Sequence, residues 1–129
     1  MRANRIVRLG IVGMIVGAMF AAAPAAMAKG GVTTRGACSG AADWKLKVSP
    51  EDGGMLEVQF RVEDAKPGQE WTVQLADNGT QIFSGSRTAN DLGKFKVRTM
   101  TADRAGSDTV TAQATNTVTG QTCNGSATL

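Results

Sequence analysis

Apolar and polar residues alternate along most of the chain after residue 43, and this alternation is typical of half-buried β-strands. In the clearest stretch, 56–62, aliphatic or aromatic residues occupy every second position and charged or amide residues lie between them. Residues typical of turns, mostly Gly, Pro, Asn and Asp, separate such stretches. The pattern predicts seven strands, near 44–48, 56–62, 71–75, 82–83, 94–98, 109–115 and 121–129. Seven short strands at regular spacing predict an all-β chain folded as an antiparallel sandwich.

Two features add detail to this prediction. Trp44 and Trp71 are in phase with the aliphatic positions of their strands, so both are expected in the core. Asn78-Gly79 predicts a two-residue hairpin, because both residues tolerate the positive φ angles of a type I′ turn. Pairing outward from this turn sets Leu75 opposite Ile82. Phe83 is then either exposed or turned inward by a β-bulge.

The last third of the chain resembles immunoglobulin-like and fibronectin-III-like domains. Residues 102–108 resemble the corner before strand F, and 112–116 with Gly120 resemble the F–G hairpin. Trp71 occupies the place of the buried strand-C tryptophan. The resemblance implies a seven-stranded antiparallel immunoglobulin-like sandwich, although the B-to-F cysteine pair and the corner tyrosine are both absent. The chain also resembles small secreted single-domain proteins of Gram-positive bacteria.

The first residues have the pattern of a cleavable signal peptide. Arg2, Arg5 and Arg8 precede an apolar run, and Ala26 and Ala28 supply the small residues that signal peptidase requires. The apolar run is shorter than the roughly 20 residues of a membrane span, so an anchor is disfavoured. The predicted organisation is a signal peptide at 1–28, an N-terminal segment with Cys38 at 29–43 and a β-sandwich domain at 44–129.

Cleavage changes the charge of the protein. The chain has 14 basic and 11 acidic residues, and three of the basic residues lie in the predicted signal peptide. The mature domain therefore has no formal net charge, and an interpretation as a nucleic-acid-binding protein from the basic pI is excluded. We expect a secreted monomer without a membrane anchor after cleavage.

Cys38 and Cys123 are the only cysteines, and they lie close to the two ends of the mature chain. In an oxidising compartment, a lone pair in a small domain predicts a disulfide bond.

Several kinds of chemistry are absent from the composition. The chain contains no histidine, which removes the commonest general base and the commonest transition-metal ligand. Most acidic residues lie in predicted turns or at strand ends, where Asp commonly caps its own backbone. We expect no enzyme activity, no cofactor and no metal site.

If the first, second and fifth predicted strands share a sheet, its outer face carries a mainly acidic column between two basic columns. The middle column consists of Glu57, Gln59, Arg61 and Glu63. The basic columns form a candidate anion-binding face, made of Lys45, Lys47, Lys94, Lys96 and Arg98. The alternative is a solvated face with cross-strand ion pairs, each worth a few tenths of a kcal/mol. The outward residues of the other sheet are neutral threonines, serines and amides.

The expected function is a non-enzymatic secreted immunoglobulin-like module, structural or binding, whose ligand is extracellular or in the cell envelope. The alternative is a secreted effector, such as a hydrolase inhibitor or a small-molecule carrier.

Overall fold

Eight β-strands follow one another in the computed structural model, which describes residues 30–129. The predicted signal peptide, 1–28, lies outside the described residues. Within 30–129 there is no helix long and apolar enough to span a membrane. The strands are β1 (Val32–Ala37), β2 (Asp43–Glu51), β3 (Met55–Glu63), β4 (Glu70–Asp77), β5 (Thr80–Thr88), β6 (Phe95–Ala102), β7 (Thr109–Asn116) and β8 (Thr122–Thr128).

The strands form two antiparallel sheets of four, in the orders β1-β2-β3-β6 and β5-β4-β7-β8. Alternate residues of each strand point into the core, and the residues between them form the outer faces. The all-β sandwich prediction is therefore confirmed. The largest fully buried side chains are Trp71, Phe60, Leu46, Leu56 and Leu75, together with valines from five strands.

The predicted number of strands was wrong, since the structure has eight rather than seven. The additional strand is β1, which pairs with β2 from Val32 opposite Val48 to Ala37 opposite Asp43. Its inward positions hold Val32, Thr34 and Gly36, so only one of the three is aliphatic. Pairing with β2 makes this segment a strand, and the hydrophobic pattern does not reveal it.

The Asn78-Gly79 hairpin is confirmed, with φ angles of 49° and 85° at its two loop residues. A β-bulge between Leu75 and Ala76 shifts the register, so Leu75 lies opposite Phe83 rather than Ile82. Phe83 is therefore turned inward and half-buried against the core. The Arg87 guanidinium lies 5.1 Å from the centre of its ring, within cation–π range.

The two tryptophans differ in burial. Trp71 is fully buried, and its ring centre lies 5.6 Å from that of Phe95. Trp44 is only half-buried, so its predicted core position is correct in part. Its indole packs between Gly36 of β1 and Gly125 of β8, where an added Cβ would come within 2.7 Å and 2.6 Å of the ring. Two glycines make room for this side chain at the margin between the sheets.

The predicted disulfide is present, with an S–S distance of 2.03 Å between Cys38 and Cys123. It joins the segment after β1 to β8 and so links the two sheets. The Ser39 N–H donates to the carbonyl of Thr122 at 2.8 Å beside the bridge. The two cysteines are 85 positions apart. In the chain-entropy model such a loop stabilises the fold by about 4.5 kcal/mol.

Candidate functional site

The outer face of the first sheet brings four basic residues into one row. Strand register places Arg35 opposite Lys45, Lys45 opposite Arg61, and Arg61 opposite Lys96. The row thus contains one cation from each of β1, β2, β3 and β6. Neighbouring strands lie about 4.8 Å apart, so the row spans about 14 Å. We call this row, together with Lys47 and Arg98, the basic face.

Lys47 and Arg98 occupy the next row, on either side of Gln59. The Arg98 guanidinium donates to Glu57 Oε2, and Gln59 Nε2 donates to Glu57 Oε1 at 3.1 Å. The hydrogen bond from Arg98, assisted by that from Gln59, holds the pKa of the Glu57 carboxyl below its ordinary value. Arg98 is therefore neutralised in part by its neighbour.

Acidic residues border the basic face at both ends of the strands. Glu57 lies at one end, and Asp43 opposite Glu63 lies at the other. Glu63 Oε2 is 3.7 Å from Arg61 Nη1. In residues 30–129, Arg35, Lys45, Lys47 and Lys96 have no acidic partner within 4.0 Å. The cross-strand ion pairing expected of a solvated face is thus present only at Arg98 among these six cations. Arg61 pairs with Glu63 of its own strand, and the other four cations have no acidic partner.

A shallow depression of about 240 Å³ lies among these cations. Its six lining side chains include four cations and no acid. They are Thr33, Arg35, Lys45, Lys47, Gln59 and Arg61. A water molecule occupies about 30 Å³. The depression therefore has room for an anionic group with part of its hydration shell, surrounded by hydrogen-bond donors.

The predicted face residues are placed as follows. Lys45, Lys47, Lys96 and Arg98 share the outer face of the first sheet. Lys94 precedes β6 in the turn after β5, where its N–H donates to Asn90 Oδ1 at 3.0 Å, so it is outside both rows.

Sequence reasoning missed two members of the row. Arg35 was omitted because β1 lacks a hydrophobic pattern. Arg61 lies in the strand with the acidic column, and only the register shows that it stands between Lys45 and Lys96.

A second group of charged residues lies at the end of the sandwich. Asp77 is fully buried; neither of its carboxylate oxygens accepts a hydrogen bond in the described part of the chain, and Arg104 Nε lies 4.0 Å away. Asp108 is also buried, and side-chain hydrogen bonding with it raises the pKa of the Asp103 carboxyl. Among residues 30–129, no three acidic or cysteine side chains are arranged to hold a metal ion.

The site is thus defined by charge and shape. Both cysteines are joined in the disulfide, and the whole chain has no histidine. The basic face offers donors for an anion, arranged on rigid strands rather than on loops. No protein-family model matches this chain, and a search of curated proteins finds no match.

Proposed function

We propose that this protein is a non-enzymatic exported binding module whose basic face binds a linear anionic polymer outside the cell or in the cell envelope. The observation that carries the proposal is the row Arg35–Lys45–Arg61–Lys96, in which every strand of one sheet contributes a cation. The depression among these side chains, with four cations and no acid, supports the same ligand class.

The row is unfavourable for the folded domain on its own. Like charges directly opposite each other on neighbouring strands are destabilising. The second sheet places uncharged hydroxyl and amide side chains at the corresponding outward positions, so the fold does not require cations there. A local cost to stability that ligand binding would offset is typical of functional surfaces.

The geometry also favours an orientation for the ligand. The row runs across the strands, and its charges recur at about the interstrand distance of 4.8 Å. A polymer lying across the strands would meet several cations in succession. A polymer lying along β3 would meet Glu57 at one end and Glu63 at the other. A ligand with repeating phosphate, sulfate or carboxylate groups crossing the sheet is therefore favoured.

The immunoglobulin-like and exported parts of the proposal have separate support. In fibronectin-III letters, β2, β3 and β6 correspond to A, B and E, and β5, β4, β7 and β8 to C′, C, F and G, with β1 added beside A. The disulfide is compatible with an oxidising compartment.

The depression on the basic face is polar, which favours polymer binding over the carrier role considered from the sequence.

The test is retention of the purified mature domain on immobilised long-chain polyphosphate at increasing salt. We expect binding at low ionic strength that weakens steeply as the Debye length falls below about 8 Å. Lys45→Glu and Lys96→Glu should each weaken binding severalfold. Lys66→Glu is the matched control, because Lys66 is an exposed lysine in the connection between β3 and β4, outside the basic face.

Two results would contradict the proposal. One is absence of retention at low salt. The other is an equal loss of binding in Lys66→Glu and in the two face variants, since that pattern indicates attraction to dispersed charge rather than to the row.

A further inference from the structure

The outer face of the second sheet differs from the basic face in having no charge across its central rows. Strand register aligns Ser84, Gln74, Gln113 and Asn124 in one row across β5, β4, β7 and β8. The row beside it is equally uncharged and contains Ser86, Thr72, Thr115 and Thr122. We call these two rows, together with Ala76, Gln81 and Thr111 in the row that follows, the neutral face.

A depression of about 470 Å³ lies on the neutral face. Its volume is about twice that of the depression on the basic face. Ala76 is a small residue that lines it, between Gln81 on β5 and Thr111 on β7. The bulge after Leu75 adjoins this position, and bulges are over-represented beside functional sites. Four amides and one hydroxyl border the depression: Gln74, Gln81, Gln113, Asn124 and Thr111.

Several amides elsewhere in the chain form hydrogen bonds with other residues. Asn116 Nδ2 donates to Gln69 Oε1 at 2.8 Å, and Asn78 Nδ2 donates to the Ser107 carbonyl at 3.1 Å. The four amides around the depression make no side-chain hydrogen bond with another residue of 30–129. Each amide offers two N–H donors and a carbonyl oxygen with two acceptor lone pairs. The depression therefore collects unused donors and acceptors in similar numbers.

This chemistry selects for an uncharged ligand that both donates and accepts. A charged group would lose hydration here without meeting an opposite charge. A sugar hydroxyl both donates and accepts, so a chain of hydroxylated rings matches the face in charge and in hydrogen bonding. Because no aromatic side chain borders the depression, binding would depend on several weak contacts along a polymer.

We propose that the depression around Ala76 is a binding site for an uncharged glycan chain. This site lies on the opposite sheet from the basic face and does not depend on it. The two surfaces would allow one domain to contact a neutral and an anionic polymer at once.

The experiment is affinity electrophoresis of the mature domain in acidic native gels that contain laminarin, hydroxyethylcellulose or galactomannan. At about pH 4 its carboxyls are partly protonated, so the domain carries the net positive charge that it needs to migrate. We expect retardation in at least one gel, unchanged by added salt. Ala76→Leu should fill the depression and reduce the apparent affinity severalfold. Ala105→Leu is the matched control, because Ala105 is an exposed alanine in the connection between β6 and β7. Circular dichroism melts would verify that both variants are folded.

Lys45→Glu separates this proposal from the polyanion proposal. It should leave glycan retardation unchanged even where it weakens polyphosphate binding. Absence of retardation in all three gels would overturn the glycan site, as would equal loss in Ala76→Leu and Ala105→Leu. Self-association abolished by Ala76→Leu, without glycan retardation, would also overturn it and would identify a second copy of the chain as the occupant.

Discussion

Asp103 and Asp108 illustrate how single residues set the response of this domain to pH. They are the first and last residues of the connection from β6 to β7, and side-chain hydrogen bonding with Asp108 favours the protonated form of the Asp103 carboxyl. The pKa of Asp103 is therefore raised above its ordinary 3.8. Stabilisation by this pair is fully present below the ordinary value and is lost as the pH rises through the raised pKa.

Glu57 responds in the opposite direction. Its pKa lies below the ordinary 4.5 because Arg98 and Gln59 donate to its carboxylate. This contribution is present above the ordinary value and is lost as the pH falls through the lowered pKa. As the pH rises through mild acid, the stabilising contribution of Asp103 falls while that of Glu57 grows. The two carboxyls therefore partly offset each other in the pH dependence of the free energy of unfolding.

We predict that Asp108→Asn lowers the pKa of Asp103. Asparagine removes the neighbouring negative charge, and its amide can donate to the Asp103 carboxylate. An NMR titration of the side-chain carboxyl carbons would measure the change. Glu57 is the internal control, because its partners are Arg98 and Gln59, and its titration should not move. If the pKa of Asp103 were the same in Asp108→Asn, Asp108 would not be the cause of its raised value.

At the scale of elements, the Trp44 side chain packs at the margin between β1 and β8. Its indole fills the space left by Gly36 and Gly125, each of which is two residues from a cysteine of the disulfide. Larger residues at either glycine would meet the ring rather than solvent. The close approach of β1 and β8 at this margin therefore depends on three residues from three strands.

We predict that Gly125→Ala destabilises the domain by about 1–3 kcal/mol, the usual cost of overpacking. The added Cβ would lie 2.6 Å from the Trp44 ring. Urea unfolding would give the free energy, and acrylamide quenching would report increased exposure of the indole. In a Trp44→Leu background the same change should cost less, because the clash is absent. Equal costs in both backgrounds would refute the packing explanation.

The sequence predicts strands well where aliphatic residues alternate with polar ones, as in β3, β4 and β7. It does not predict β1, since two of its three inward residues are Thr34 and Gly36. It identifies the turn at Asn78-Gly79, but the bulge depends on how Phe83 packs against the core. The same limit applies to the basic row. Alternation gives the face of each residue, whereas the alignment of Arg35 with Lys96 depends on pairing between strands distant in sequence.

At the scale of the whole molecule, charge is divided between the two sheets. The outer face of the first sheet holds the basic row and its bordering acids, and the central rows of the second hold none. Residues 29–129 carry no formal net charge, yet the row of cations produces a local positive field on one side of the domain. Such a field acts over about one Debye length, roughly 8 Å at physiological salt.

We predict that the exported protein consists of residues 29–129 with one intramolecular disulfide. Its intact mass should equal that of the chain from Lys29 to Leu129 less two hydrogens. Reduction should restore the two hydrogens and expose two thiols to alkylation. A product that retains Met1–Ala28 would contradict the export prediction. A product that is alkylated without reduction would contradict the predicted disulfide.

The position of the disulfide has a consequence for proteolysis. Cys38 lies before β2 and Cys123 lies in β8, so every connection from the end of β2 to the start of β8 falls within one covalent ring. A protease that cuts one of these turns would open the ring without releasing a fragment. The nicked domain would keep its mass, apart from one added water, until it met a reductant. In a protease-rich extracellular medium, both outer faces would then remain attached to the same molecule after the first cut.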